Sequence, residues 1–191
     1  MQKQLNYDLI RDLNNRFDDI NETLLLSLYS KVHPRSVQWF FEAAGKEHYR
    51  LLAYISNHYE GALILDIGTN TGSSALALSL SGNNHIISYD IEDCREGHGL
   101  NEKIEHKVML ATDDIVSVKS ASLIFLDTKH DGVFENEFRN KLEEINWKGV
   151  LILDDIYLNP EMKSFWDSIT QEKIDLTKVG HWSGTGAVIF Q

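Results

Sequence analysis

The chain has 191 residues, of which 42% are hydrophobic and 25% charged. That is one ordinary globular domain with room for a sizeable core, and it excludes a disordered chain. A net charge of −11 argues against a role built on gripping a nucleic-acid backbone, which needs a basic face. A single cysteine, Cys94, excludes an internal disulfide and fits a cytoplasmic location; with no histidine beside it, it reads as a packed or surface residue and not as a nucleophile. The first twenty residues lack the apolar stretch of a signal peptide, and no apolar run approaches the roughly 18 residues of a membrane span. The acid surplus falls almost wholly after residue 60.

In chain order, residues 4–32 carry a helical pattern. Leu5, Leu9, Leu13, Phe17, Ile20, Leu24 and Leu28 recur at threes and fours, with an interruption at Asp18–Asn21 and an end at Pro34. A second amphipathic helix is expected over 46–58, with Tyr49, Leu52, Ala53, Ile55 and Tyr59 on one side. The texture then changes to short apolar strands at 62–67, 85–90, 106–110, 122–127 and 149–154. Helical segments follow at 73–81, 133–145 and 161–170, the last started by Pro160. Two final strands are expected at 174–179 and 187–190; the connection 180–186 is too short for a parallel crossover, so this pair is antiparallel. The alternation defines an α/β fold, a doubly wound and mostly parallel sheet. Such folds bind ligands at the carboxyl ends of their strands.

Those strand ends carry the chemistry. The segment Asp66-Ile-Gly68-Thr69-Asn70-Thr-Gly72-Ser73 follows a strand and opens a helix. It fails the dinucleotide pattern GxGxxG, because Asn70 and Ser73 interrupt it, and it lacks the Gly-Lys-Ser/Thr of a phosphate-binding loop. An acid two residues before the first glycine suits a ligand bearing an amine or a positive charge. Asp90 ends the second strand, placed to accept hydrogen bonds from the hydroxyls of a ribose. Asp113, after the third strand, has two readings: a contact to an adenine amino group, or a helix cap.

A second group lies at strands four and five. Asp127 ends one strand, His130 follows three residues later, and Asp154-Asp155 end the next. Adjacent strand tips lie about 5 Å apart, so three carboxylates converge and need protonation or a cation. Oxygen ligands with open positions suit Mg²⁺, Mn²⁺ or Ca²⁺; Zn²⁺ is less apt with one histidine and no cysteine nearby. Lys129 is an alternative counter-charge that would replace the ion.

The stretches LILDIGTNTGSSALALS, SYDIE, LIFLDTKHDGVFENEF and GVLILDDI resemble class I S-adenosylmethionine-dependent methyltransferases over residues 46–191. The Asp-x-x-His plus Asp-Asp arrangement is similar to the metal-dependent O-methyltransferases of sugars and macrolides and to a related group of small bacterial enzymes. The resemblance implies a Rossmann-like, seven-stranded sheet with an antiparallel last strand. It also implies S-adenosyl-L-methionine as cofactor: Asp66 near the methionine amine, Gly68, Thr69, Asn70, Gly72 and Ser73 lining it, Asp90 on the ribose, with Ile91, Asp113 and Asp127 beside it. It further implies Asp127, Asp154 and Asp155 as metal ligands, His130 as base, and a small-molecule hydroxyl as methyl acceptor.

Residues 1–45 are expected as an N-terminal helical extension that covers the site. Tyr29, His33, Trp39 and Phe40 read first as packing against the sheet and second as a lid. His181 and Trp182, in the Gly-rich connection 180–186, could flank the acceptor. Three other functions stay open: a metal-free N- or carboxyl-methyltransferase, a catalytically silent cofactor-binding module, and, least favoured by the failed fingerprint, a nicotinamide oxidoreductase. Partners other than a small molecule, whether nucleic acid or membrane, are not expected, and the oligomeric state is open.

Overall fold

Seven strands form one sheet in a computed structural model that describes residues 6–21, 25–80 and 83–191; the predicted helical positions Leu5, Leu24 and Ser81 lie outside these. Strands β1 (Leu63–Ile67), β2 (His85–Asp90), β3 (Ile104–Val108), β4 (Leu123–Leu126) and β5 (Gly149–Asp154) are mutually parallel. β6 (Glu172–Asp175) and β7 (Thr185–Phe190) form an antiparallel pair, and β7 inserts between β5 and β6, antiparallel to both. The order is β3-β2-β1-β4-β5-β7-β6. The doubly wound, seven-stranded sheet with an antiparallel last strand is the architecture the sequence predicts.

Alternate residues of each buried strand feed two cores, as a period of two requires. On one face Ile64, Ile86, Phe125 and Ile152 pack with helices α3 (Tyr49–Ser56) and α4 (Ser73–Leu78). On the other, Leu65, Ile87, Leu126 and Leu153 pack with α5 (Ile115–Ser120), α6 (Val133–Glu144) and α7 (Pro160–Ser168). The α5 helix is anticipated only by the reading of Asp113 as a helix cap; it is six residues long, too short to show a period.

The expected helix over 4–32 is not continuous. It is a short helix, α1 (Tyr7–Asp12), followed by 3₁₀ turns at Leu13–Asn15, Phe17–Asp19 and Leu26–Lys31; a further 3₁₀ turn at Pro34–Ser36 leads into α2 (Val37–Phe40). Polar side chains compete with the helical ladder here: Asn15 Nδ2 and Arg16 Nε both donate to the Asp12 carboxylate, and Asn14 Nδ2 donates to Asp175 O. The segment follows the sheet edge instead, with Tyr7 OH donating to Phe190 O and Arg11 paired with Glu172. Ile10, Leu13, Leu25, Leu28 and Phe40 share the core of α3, so Leu51–Ser56 is buried all round and not on one side only. Among the described residues no helix is long and apolar enough to cross a membrane.

Candidate active site

The tip of β1 is shaped by close backbone approach. Gly68 has φ +89°, and a Cβ there would lie 1.6 Å from the carbonyl oxygen of Asp127. Only glycine lets the β1 turn pass so near the β4 tip. The Gly68 and Thr69 N–H groups both donate to Tyr89 O, at 2.9 and 3.2 Å. Asn70 stands at φ +48°, a left-handed position asparagine tolerates better than most residues, which accounts for its place between the glycines.

Asp66 is fully buried beneath this turn, where Ser88 Oγ donates to its carboxylate at 3.1 Å. Burial pushes its pKa up to about 6, against the lowering influence of the Thr69, Ser74 and Ser88 hydroxyls. Asp90 accepts the N–H of Asn70 at 2.7 Å and that of Ile91 at 2.8 Å, so its carboxylate ties the β1 turn to the β2 tip.

A cleft of about 710 Å³ crosses the strand tips. Asp90, Ile91, Met109 and Leu110 line it from the β2–β3 side, and Asp127, Lys129, His130 and Phe134 from the β4 side, with Gly68 and Asn70 between. Asp66, Thr69, Gly72 and Ser73 shape the turn from behind and are not on its walls. Asp113 is exposed on the 3₁₀ turn after β3, whose Ala111 faces the cleft. The helix cap in this stretch is Asp114, which accepts from Ser117 N at 3.2 Å and pairs with Lys107 at 2.6 Å.

Leu126 pairs with Leu153, so the next residues of β4 and β5, Asp127 and Asp154, come side by side. Asp155 follows at φ +58° and His130 at φ +54°, both left-handed. His130 Nε2 lies 3.2 Å from Asp127 Oδ1 and 3.4 Å from Asp155 Oδ2. Its backbone is fixed by its N–H on Glu135 Oε1 and by Asn159 Nδ2 on its carbonyl. The structure therefore brings Asp127, His130, Asp154 and Asp155 into one cluster.

Three residues that sequence spacing did not tie to these acids join them. His181 Nδ1 is 3.1 Å from Asp155 Oδ1 and 3.4 Å from Asp154 Oδ1. His48 Nδ1 is 3.4 Å from Asp154 Oδ2 and 3.0 Å from Glu47 Oε1. Burial disfavours charge on both imidazoles, but the carboxylates override it: Asp154 and Glu47 hold His48 well above its ordinary pKa, and Asp154 and Asp155 hold His181 at about 10. The reciprocal effect keeps Asp154 ionised despite its burial. Asp127 is raised by loss of water and by the Asp154 charge. Burial also works against a charged His130, yet Asp127, Asp155 and Asp154 raise it. Lys129, expected as an alternative counter-charge, is exposed and makes no ion pair with the three acids, because the histidines occupy that place. Glu47 and His48 carry no spacing in sequence that ties them to the strand tips.

The residues fit a divalent ion. One donor atom each from His48, Asp127 and Asp154 lie within 4.8 Å of one another, as do donors from Asp154, Asp155 and His181. Asp154 Oδ1 is buried without a hydrogen-bond partner among the described residues. The expectation of a nearly all-oxygen set around one histidine is corrected: three imidazoles border the acids.

No family model and no curated protein sequence matches the chain. Solved structures do. The SAH-bound methyltransferase PaMTH1 of Podospora anserina superposes with a TM-score of 0.62 at 13% identity, over 100% of this chain and 99% of that one. The O-methyltransferase TomG of Streptomyces achromogenes, in complex with SAM, gives 0.54 at 15% identity, over 92% and 99%. An O-methyltransferase of Bacillus cereus in complex with SAH gives 0.51 at 17% identity, over 92% and 90%. The chain has the Rossmann-like fold of S-adenosylmethionine-dependent methyltransferases.

Proposed function

We propose that the protein is an S-adenosylmethionine-dependent methyltransferase that methylates a hydroxyl of a small molecule with the help of a divalent ion. One observation carries the reading: a single cleft of about 710 Å³, a usual size for a cofactor site, has Asp90 on one side and Asp127 with His130 on the other. The methyltransferase fold and the O-methyltransferase names of two neighbours support it. The net charge of −11 supports a free small molecule as acceptor over nucleic acid, and the lone cysteine supports a cytoplasmic setting.

S-adenosylmethionine supplies a methyl group made electrophilic by its sulfonium. A divalent ion supplies the Lewis acidity that lowers a hydroxyl pKa. Asp90 and the backbone around Ile91 would hold the ribose side, while Gly68 and Asn70 give the close approach. Asp127 and Asp154 would hold the ion, with Asp155 beside them. His130, on the cleft wall beside Asp127, is the residue placed to take the acceptor's proton. Ser36 Oγ lies 2.8 Å from Thr71 Oγ1 of the Gly turn, a contact that supports the N-terminal segment as a neighbour of the site. Of the aromatics expected there, Phe40 and His33 are buried and Tyr29 and Trp39 are exposed.

Calorimetry with S-adenosylmethionine, SAH and NAD tests the cofactor, and a panel of hydroxyl and amine acceptors with and without EDTA tests the rest. Binding of the first two alone, with EDTA-sensitive methylation of hydroxyls, is expected. Binding of NAD alone overturns the reading. A second reading, a metal-free methyltransferase, is favoured by His48 and His181 lying against Asp154, since protonated imidazoles balance the acids without an ion. EDTA-insensitive turnover would select it.

A further inference from the structure

We propose that His48 is a metal ligand, and that the centre it forms with Asp127 and Asp154 selects a late first-row divalent ion such as Co²⁺ or Zn²⁺ over Mg²⁺ and Ca²⁺. The inference rests on the metal-assisted reading above and adds to it a nitrogen donor from outside the strand tips.

His48 is only 3% exposed, and among the described residues neither ring nitrogen has a hydrogen-bond partner, while Nδ1 stands in ion-pair range of Glu47 and Asp154. Its ring is held by Phe125 at 4.9 Å and Tyr49 at 4.5 Å between centroids. The chain reaches this place through Gly45, at φ +83°, whose N–H donates to Gly180 O at 3.0 Å. A Cβ on Gly45 would lie 2.9 Å from Lys178 O, so a larger residue would push the His48 backbone away from the β5 tip. The fold thus positions an unbonded imidazole against two acids.

The distances fit an ion better than an imidazolium pair. His48 Nδ1 and Asp154 Oδ2 are 3.4 Å apart without the alignment of a hydrogen bond, and among the described residues Asp154 Oδ1 has no hydrogen-bond partner either, His181 Nδ1 standing 3.4 Å away. Donors on an ion with bonds of about 2.1 Å at right angles lie about 3 Å from each other, pointing at the ion and not at one another. His181 is the contrast: its Nδ1 is hydrogen-bonded with Ser183 Oγ at 2.8 Å and Asp155 Oδ1 at 3.1 Å, so this nitrogen is engaged in holding Asp155. Glu47 Oε1, 3.0 Å from His48 Nδ1, adds negative charge beside the ion.

Selectivity follows from the donor types. Mg²⁺ and Ca²⁺ prefer oxygen alone, whereas imidazole favours the later first-row ions, whose affinity for such a site rises along the series toward Cu²⁺. Three protein ligands leave positions open for acceptor oxygens.

The test uses the full chain freed of metal, titrated by calorimetry with Co²⁺, Zn²⁺, Mn²⁺, Mg²⁺ and Ca²⁺. Co²⁺ is expected to bind at least about tenfold tighter than Mg²⁺, and His48→Asn to lower Co²⁺ affinity about tenfold or more and to shift its visible absorption. Circular dichroism reports whether the variant folds. Independently of any variant, anomalous density from wild-type crystals grown with Co²⁺ is expected about 2.1 Å from a His48 ring nitrogen. A peak on the aspartates with His48 uninvolved, or Co²⁺ binding unchanged in folded His48→Asn, overturns this inference and leaves the metal-assisted reading standing. Binding of none of the five ions overturns both.

Discussion

His130 and Asp155 face each other across the tips of β4 and β5, Nε2 to Oδ2 at 3.4 Å, and both hold left-handed backbone. Such conformations cost about 1–3 kcal/mol in residues other than glycine and persist only where the surroundings enforce them. His130→Ala is expected to lower kcat by about 10²- to 10⁴-fold with cofactor affinity little changed. His130→Gly should be equally inactive but more stable than His130→Ala by about 1 kcal/mol, since glycine relaxes at φ +54°. Urea denaturation of the two variants compares them; equal stability would remove the strain assignment, and near-normal kcat would remove the base.

Gly68→Ala places a methyl group 1.6 Å from Asp127 O in a backbone region that disfavours it. Separation of β1 from β4 at the tip is the only relief. A loss of about 3 kcal/mol or more is expected, together with loss of S-adenosylmethionine binding. A variant that melts and binds like the wild type would mean that the two tips are not in contact.

Asp90 does two things at once, facing the cleft and bonding the N–H groups of Asn70 and Ile91. Asp90→Ala is expected to weaken S-adenosylmethionine about tenfold to a hundredfold by calorimetry. Asp90→Asn retains one acceptor oxygen and should lose less. Unchanged affinity in both variants would place the ribose elsewhere.

Asp66 is the group whose burial should show in a pH profile. Its pKa is raised from 3.8 to about 6, so the folded chain binds the proton more tightly than the unfolded chain does. Stability from this group is therefore fully present below about pH 4 and declines as pH rises through 6, by an amount on the order of 3 kcal/mol. Asp66→Asn should flatten the profile between pH 4 and 7. If wild type and variant show the same slope in denaturant titrations across that window, Asp66 is ionised in the folded protein.

The fold was legible because its signals are local. Each of β1, β2, β4 and β5 is an apolar run flanked by turn residues, and β2 and β5 were bounded to the residue. The N-terminal segment was not, since its apolar spacing serves a wrapped, irregular path held by Asn14, Asn15 and Asp12 and not a single helix. The site was half legible. Asp127, His130, Asp154 and Asp155 lie on consecutive strand tips, which topology brings together. His48 and His181 reach the same point from α3 and from the β6–β7 connection, and no spacing in sequence encodes a meeting 133 residues apart, at 5.7 Å between ring centroids.

The insertion of β7 between β5 and β6 also governs when the site can exist. Of the seven strands β7 is made last, yet it occupies an inner position, with Thr185 opposite Asp154. Until it is in place, β5 has an open edge and the loop bearing His181 has no anchor. A nascent chain would thus complete the Asp90 side of the cleft well before the Asp154–His181 side, with the pairing of β7 to β5 a late step.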